Sequence, residues 1–189
     1  MKNSGLTEKK MKNKKFRQTE MAIFAAYYKL HDFPSAKTIA KRANISRSTL
    51  YRHHALPRAI SNNYEKYLLD TYSNRIKKSL RKKSSLKTLF FRTLIFIHSD
   101  HVIFEALFES GHKEIIKRML DKLKKQILKE WNYAGDTNKL YKVYQNEVLG
   151  IIELWGEHGF GSDKIEELLD DILYLNKTAP KRLSRFLES

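Results

Sequence analysis

The sequence contains no cysteine and few helix-interrupting residues, with three prolines and seven glycines among 189 residues. Without cysteine the chain has no disulfide framework, no thiolate nucleophile and no cysteine-ligated metal centre, and a reducing cytoplasmic location fits. No apolar run approaches the roughly 20 residues that a membrane-spanning helix needs. We therefore expect a cytoplasmic protein with no membrane segment and no cofactor.

Acidic residues are scarce in the first part of the chain. Residues 1–85 hold 21 basic and only five acidic side chains, a net charge of +16, whereas residues 86–189 hold 16 of each sign. A strongly basic region beside a neutral one is typical of proteins that bind a polyanion or an anionic membrane surface. We expect the N-terminal part to make that contact.

The hydrophobic periodicity predicts an all-α fold of about nine helices. Apolar residues recur at three- and four-residue spacing, and the alternation typical of strands is absent. The predicted helices cover residues 16–30, 36–42, 46–53, 57–80, 86–98, 102–109, 113–133, 137–158 and 162–176.

Residues 39–51 (IAKRANISRSTLY) combine the features of two short helices joined by a tight turn. Asn44 stands where the turn needs a positive φ, which Gly and then Asn adopt most readily. Ser46 follows as the N-cap of the second helix. The pattern predicts a helix-turn-helix whose second helix suits the DNA major groove. An ordinary helical hairpin is the alternative, but the polar second helix and the local charge excess favour DNA binding.

Residues 21–60 resemble the DNA-binding domain of the tetracycline-repressor (TetR) family of bacterial regulators. The resemblance rests on AIFAAYY (22–28), IA (39–40), ANIS (43–46) and TLYRHH (49–54), with Asn44 replacing the usual Gly and His54 the usual Phe. GIIELW (150–155) with Gly159 and Phe160 is weakly similar to the effector domain of a subgroup that includes regulators of dihydroxyacetone kinase genes. The resemblance implies a transcriptional repressor. It implies a homodimer that binds a palindromic operator on double-stranded DNA and responds to a small-molecule or protein effector.

Candidate DNA contacts lie on the two short helices. Arg47 is the expected main base reader, through a bidentate contact with guanine. Arg52 either reads a base or is solvated. By the resemblance, Tyr51 and His53 bind phosphates, and Ser35 places the start of its helix against another phosphate. The full predicted set is Ser35, Lys37, Ser46, Arg47, Ser48, Thr49, Tyr51, Arg52 and His53.

Two further sets of residues are predicted in the C-terminal half. Polar side chains expected to line an effector pocket are His98, His101, Tyr133, Tyr141 and Asn146. The apolar stripes of the last two helices predict a dimer interface, with internal packing as the alternative, formed by Tyr144, Val148, Ile151, Ile152, Trp155, Ile165, Leu168, Leu169 and Ile172. His98 and His101 have metal-compatible spacing, but a helix junction favours capping there, and no metal site is predicted.

The predicted organisation is a mobile basic arm (1–15), a three-helix helix-turn-helix domain (16–60), a connecting helix (61–85) and an effector and dimerisation domain (86–189). An enzyme is not predicted, because the chain has no Gly-rich phosphate loop, no nucleophile elbow and no paired-carboxylate site. A nucleic-acid-binding architectural protein without sequence preference is one alternative. A membrane-surface protein that uses the basic arm is another.

Overall fold

The computed structural model describes residues 6–30, 34–131, 133 and 136–187, and all regular structure in these ranges is helical. This confirms the predicted all-α fold. None of the helices described is both long enough and apolar enough to cross a bilayer. The α-helices in chain order are α1 (Glu8–Met11), α2 (Lys14–Tyr28), α3 (Ala36–Arg42), α4 (Arg47–His53), α5 (Ala59–Arg81), α6 (Leu86–Ser99), α7 (His101–Glu109), α8 (Glu114–Asp121), α9 (Lys124–Glu130), α10 (Thr137–Glu157) and α11 (Ile165–Leu187).

Three elements differ from the prediction. Part of the expected mobile arm forms α1, which packs on α2 and buries Met11. The helix expected over 113–133 is divided into α8 and α9, because the amides of Lys122 and Leu123 bond to carbonyls only three residues back. The last helix, expected to end at residue 176, continues through Pro180.

The continuation of α11 through Pro180 has a tertiary cause. A proline has no N–H, so the carbonyl four residues earlier loses its helical partner. That carbonyl belongs to Asn176, and the indole Nε1 of Trp131 donates to it at 3.0 Å. The same indole lies 3.0 Å from Oδ1 of Asn176. A side chain from outside the helix therefore satisfies the group that the proline leaves open.

The chain divides into two compact units. Unit 1 contains residues 1–71 and 102–112, and unit 2 contains residues 72–101 and 113–189. The division differs from the predicted domains, because most of α7 belongs with the N-terminal helices and α5 contributes to both units. Within unit 1, the ring of His112 lies edge-on to Tyr28, with centroids 5.2 Å apart, and its Nδ1 lies 3.9 Å from Glu65.

Unit 1 is organised around the apolar faces of α2 to α5. α3 packs against both α2 and α4. Phe24 of α2, Ile39 of α3, Leu50 of α4 and Ile60 of α5 are completely buried. Burial of one such side chain contributes about 1.5–3 kcal/mol. This common core holds the short α3 and α4 in place, since helices of seven residues are unstable in isolation.

Unit 2 is built on the long pair α10 and α11. α10 packs along α11 and against α8 and α9, while α11 also packs against α6. The chain reverses after α10 because Gly159 and Phe160 both have positive φ angles, of 72° and 52°. The reversal brings the buried Phe160 ring back over Gly156, where a Cβ would lie 2.8 Å from the ring. Gly156 is therefore required for this close approach.

Candidate nucleic-acid interface

The turn between α3 and α4 has the predicted geometry. Asn44 has a φ of 52°, which confirms its assignment to the left-handed region. Its amide donates to Lys41 O at 3.2 Å, and the next amide, of Ile45, donates to Ala40 O at 3.0 Å. These bonds satisfy carbonyls at the end of α3 and direct the chain into a new helix. Ala40 is only 2% exposed, which fits the close approach of the two helices.

Serine hydroxyls begin both short helices, and the cap at Ser46 is the one predicted above. Ser35 Oγ accepts from the amide of Thr38 at 3.2 Å, and Ser46 Oγ accepts from the amide of Thr49 at 3.0 Å. Each cap is worth about 1 kcal/mol. Ser35 and Ser46 were both predicted to contact DNA. In the structure their hydroxyls already accept the capping hydrogen bonds of their helices.

A chain of polar contacts runs along α4. Ser46 Oγ lies 2.8 Å from Ser48 Oγ and 2.9 Å from Thr49 Oγ1. Arg52 donates from Nη2 to Thr49 Oγ1 at 3.0 Å. The sequence left open whether Arg52 reads a base or is solvated. In the structure its guanidinium instead bonds to a residue of its own helix.

The outward side of α4 is polar and exposed. Arg47, Ser48, Tyr51 and Arg52 are exposed, whereas Leu50 is fully buried. Lys37 on α3 is also exposed. Ser48, Tyr51 and Arg52 stand one or two residues from Leu50 and so point away from its inward direction, and this surface of α4 is open to a ligand. Arg47, Ser48, Tyr51 and Arg52 therefore share the exposed side of α4, whereas His53, on the same helix, faces inward.

His53 belongs to an inward-facing cluster that the sequence did not predict. Its Nδ1 lies 2.7 Å from Oε1 of Glu20 on α2, and its ring stacks on Phe16 with centroids 4.5 Å apart. The side chain is 12% exposed. Its predicted contact with a phosphate is therefore limited to the edge of the ring that faces away from Glu20.

The carboxylate of Glu20 is the centre of this cluster. It is completely buried and also accepts hydrogen bonds from His54 Nε2 at 2.9 Å and from Tyr64 Oη at 2.8 Å. Burial acts to raise the pKa of Glu20, but the bonds from His54, His53 and Tyr64 outweigh it and lower that pKa overall. Glu20 is thus an ionised side chain in a dry interior, with a partner for each oxygen.

His54 completes the cluster from the end of α4. It is the C-cap of that helix and is fully buried, with Asn63 Nδ2 at 3.1 Å from its Nδ1. One signal in the sequence could have revealed the cluster. Glu20 stands at helical spacing from Phe16 and Phe24, on the apolar face of α2, where an ionised residue needs buried partners.

The excess positive charge is divided differently between the two units than between residues 1–85 and 86–189. Unit 1 holds 15 basic and 7 acidic residues and unit 2 holds 22 and 14, so that each has a net charge of +8. The difference arises because the basic end of α5 lies in unit 2, while Glu105 and Glu109 of α7 lie in unit 1. The excess charge is not confined to the helix-turn-helix.

Among the predicted effector residues, the rings of His98 and His101 stack with centroids 6.1 Å apart. His98 is half-buried, and its Nδ1 lies 2.8 Å from Phe160 O. Tyr133 is also half-buried, whereas His101 and Asn146 are exposed. Tyr141 is buried. Two clefts of unit 2, of about 380 and 470 Å³, contain none of these residues. No group of three or more metal-ligating side chains occurs within the described ranges.

Most of the predicted dimer interface is instead the core of unit 2. Seven of the nine residues are 3% exposed or less, so they pack inside their own chain and cannot also face a partner. Only Ile151 and Leu168 keep partial exposure. The stripes were correctly apolar, but the alternative of internal packing applies to Tyr144, Val148, Ile152, Trp155, Ile165, Leu169 and Ile172.

No family model, no curated protein and no solved structure matches this chain.

Proposed function

We propose that this protein is a sequence-specific DNA-binding transcriptional regulator of the tetracycline-repressor type. The observation that carries the proposal is the pairing of α3 and α4 through the positive φ of Asn44, with Ser46 capping an α4 whose outward side is exposed and polar. A helix held in this way can enter a major groove, while the buried Leu50 anchors its other side.

Sequence choice in this proposal rests mainly on Arg47. It is the first residue of α4 and is exposed, so its guanidinium can reach O6 and N7 of a guanine. The exposed Tyr51 and Lys37 supply contacts to phosphates, which fix the register without reading bases. Replacing Arg47 with Ala is expected to cost about 1–3 kcal/mol of binding free energy and to relax the preference at one base pair.

The test is a selection of bound duplexes from a random DNA pool at near-physiological salt. The wild-type protein should enrich a palindromic sequence, and Arg47→Ala should lose one specified position in each half-site. Arg118→Ala, which changes an exposed arginine of α8, is the matched control and should enrich the wild-type sequence. An unchanged preference in Arg47→Ala would remove Arg47 from the base readers.

A homodimer is part of the proposal, because one helix-turn-helix reads too few base pairs for a specific site. On the described parts of α10 and α11, the apolar side chains that keep some exposure include Val143, Ile151, Leu154, Leu168 and Tyr174. Leu154 and Tyr174 are 61% and 67% exposed. Exposed apolar side chains on these two helices can pack against the same helices of a second copy, which forms a four-helix bundle across a two-fold axis. Leu154→Glu should convert a dimeric mass in sedimentation equilibrium to a monomeric one. A wild-type monomer at micromolar concentration would contradict this part.

The last part of the proposal is that an effector binds to unit 2 and controls DNA binding. In the simplest case, the effector relieves repression. An effector changes DNA binding only if it binds the two states of the dimer with different affinity.

A second candidate function is an architectural protein that binds nucleic acid without sequence preference. The net charge of +8 on unit 2 favours it, because that charge lies outside the unit that contains the helix-turn-helix. The selection described above separates the two functions. Enrichment of one sequence supports the regulator, and equal recovery of all sequences supports the architectural protein.

A further inference from the structure

The two ring nitrogens of His53 have different surroundings. Nδ1 lies 2.7 Å from Oε1 of Glu20, while Phe16 covers one face of the ring. Within the described residues, Nε2 makes no hydrogen bond. It does not belong to the side-chain atoms that are both buried and without a partner, so solvent reaches it. The 12% of the side chain that remains exposed therefore includes the Nε2 edge.

The contact with Glu20 determines where His53 carries its proton. An ionised carboxylate only accepts hydrogen bonds, so Nδ1 must be the donor. In the neutral ring the outward Nε2 is then a bare acceptor. A phosphate oxygen is also an acceptor, and the two cannot form a hydrogen bond. Only the imidazolium, which carries a proton on both nitrogens, can bind a phosphate through Nε2.

We infer that His53 contacts a DNA phosphate only as the imidazolium held by Glu20, so that DNA binding takes up one proton and strengthens as the pH falls. This inference rests on the proposed DNA-binding function and adds a mode of regulation to it. Glu20 acts here as a positioning residue, because it orients His53 and does not itself reach the DNA.

The other ionisable groups around His53 come from each helix packed on α4. On α2, Arg17 lies one turn before Glu20, and on α4 Arg52 is exposed. On α5, Tyr64 donates to the Glu20 carboxylate. α3 presents only cations, which are exposed: Lys37, Lys41 and Arg42. The Glu20 carboxylate is the anion in direct contact with His53.

His54 is not the group that takes up the proton. The amide nitrogen of Asn63 donates to its Nδ1 at 3.1 Å, so His54 carries its proton on Nε2, where it faces Glu20 at 2.9 Å. Both nitrogens already have partners, and the ring is fully buried. His54 therefore has no exposed edge with which to meet DNA.

The experiment measures the affinity of the full-length protein for a duplex recovered in the selection, by fluorescence anisotropy at fixed ionic strength. Between about pH 8 and pH 6, the range in which imidazoles change charge, Kd should fall about tenfold. The slope of log Kd against log salt should also be steeper at the lower pH by about one phosphate contact. Calorimetry in two buffers of different ionisation enthalpy should give an uptake of up to one proton.

Two variants assign the effect to His53. His53→Gln keeps a neutral N–H donor near the position of Nε2 and should give a pH-independent affinity. His158→Gln removes an exposed imidazole at the end of α10 and should keep the wild-type pH dependence. A flat wild-type profile with no proton uptake overturns the inference, as does wild-type pH dependence in His53→Gln. Loss of DNA binding at every pH in the wild-type protein would instead overturn the proposed function.

Discussion

The polar groups buried in the two units are satisfied to different degrees. In unit 1 the Glu20 carboxylate accepts three hydrogen bonds from side chains on α4 and α5. In unit 2 the hydroxyl of Tyr144, on α10, is buried with no hydrogen-bond partner. A buried donor without a partner costs about 1–3 kcal/mol. Unit 1 therefore keeps a charge in its core by providing every partner, while unit 2 accepts an energetic loss.

This difference shows what each buried polar group does for its unit. The bonds to Glu20 join residues of α2, α4 and α5, so they define the position of α4 more closely than apolar contacts do. Tyr144 of α10 defines little. Burial raises the pKa of its phenol, so the side chain stays neutral and its ring serves as an apolar group in the core.

The largest expected effect is the loss of the charge at the centre of unit 1. Glu20→Gln preserves the shape of the side chain but removes the ionised acceptor of three bonds. We expect the free energy of unfolding to fall by about 3 kcal/mol in urea denaturation at neutral pH. Glu157→Gln, at an exposed position of α10, is the control and should change it by less than about 0.5 kcal/mol. Equal stability of the two variants would remove the distinction between the units.

The same carboxylate should make the stability of unit 1 sensitive to acid. The pKa of Glu20 is lower in the folded protein than its ordinary value of 4.5. The unfolded chain therefore binds the proton first, and stability is fully present above about pH 4.5 and falls as the pH drops through the folded pKa. Unfolding measured from pH 6 downward should show this loss in the wild-type protein. The loss should be reduced in Glu20→Gln, and parallel curves for the two proteins would contradict the prediction.

A smaller effect on the free energy of unfolding is expected for the buried tyrosines of unit 2. It depends on whether the tyrosine hydroxyl has a hydrogen-bond partner. Tyr72 and Tyr144 are both buried, but Tyr72 Oη lies 2.8 Å from Thr93 Oγ1. Tyr72→Phe should lower the free energy of unfolding by about 1 kcal/mol, because Thr93 loses a partner.

The smallest expected effect has the opposite sign. Tyr144→Phe removes a hydroxyl that has no partner, so it should leave the stability unchanged or raise it by up to about 1 kcal/mol. Thermal and urea unfolding of the two Phe variants side by side measures the difference. A clear destabilisation by Tyr144→Phe would mean that its hydroxyl is satisfied in solution.

The helix-turn-helix geometry could be predicted because its signals are local. The left-handed conformation of Asn44 and the cap at Ser46 depend on residues within a few positions of each other. The Glu20 cluster could not be read in the same way, because Glu20 and His54 are 34 positions apart. For the same reason the pattern did not predict that Trp131 would bond to the carbonyl that Pro180 leaves open.

The predicted dimer residues show the limit of apolar periodicity. The stripes of α10 and α11 correctly identified side chains that need to be buried, but a stripe carries no information about which partner buries them. In the structure the two helices pack against each other and against α6, α8 and α9, and so cover most of the residues assigned to an interface. Exposed side chains such as Leu154 and Tyr174 became candidates only after that packing was known.

Local sequence signals are enough to specify the helical class, the tight turn before α4 and the serine cap of α4. These features depend on backbone preferences and on hydrogen bonds within a turn or two of the chain. The tertiary structure alone decided that α7 joins unit 1, that the excess charge divides equally and that Glu20 is ionised between two histidines. Each of these depends on which distant residues meet in the core. Packing determines those meetings, and local periodicity does not.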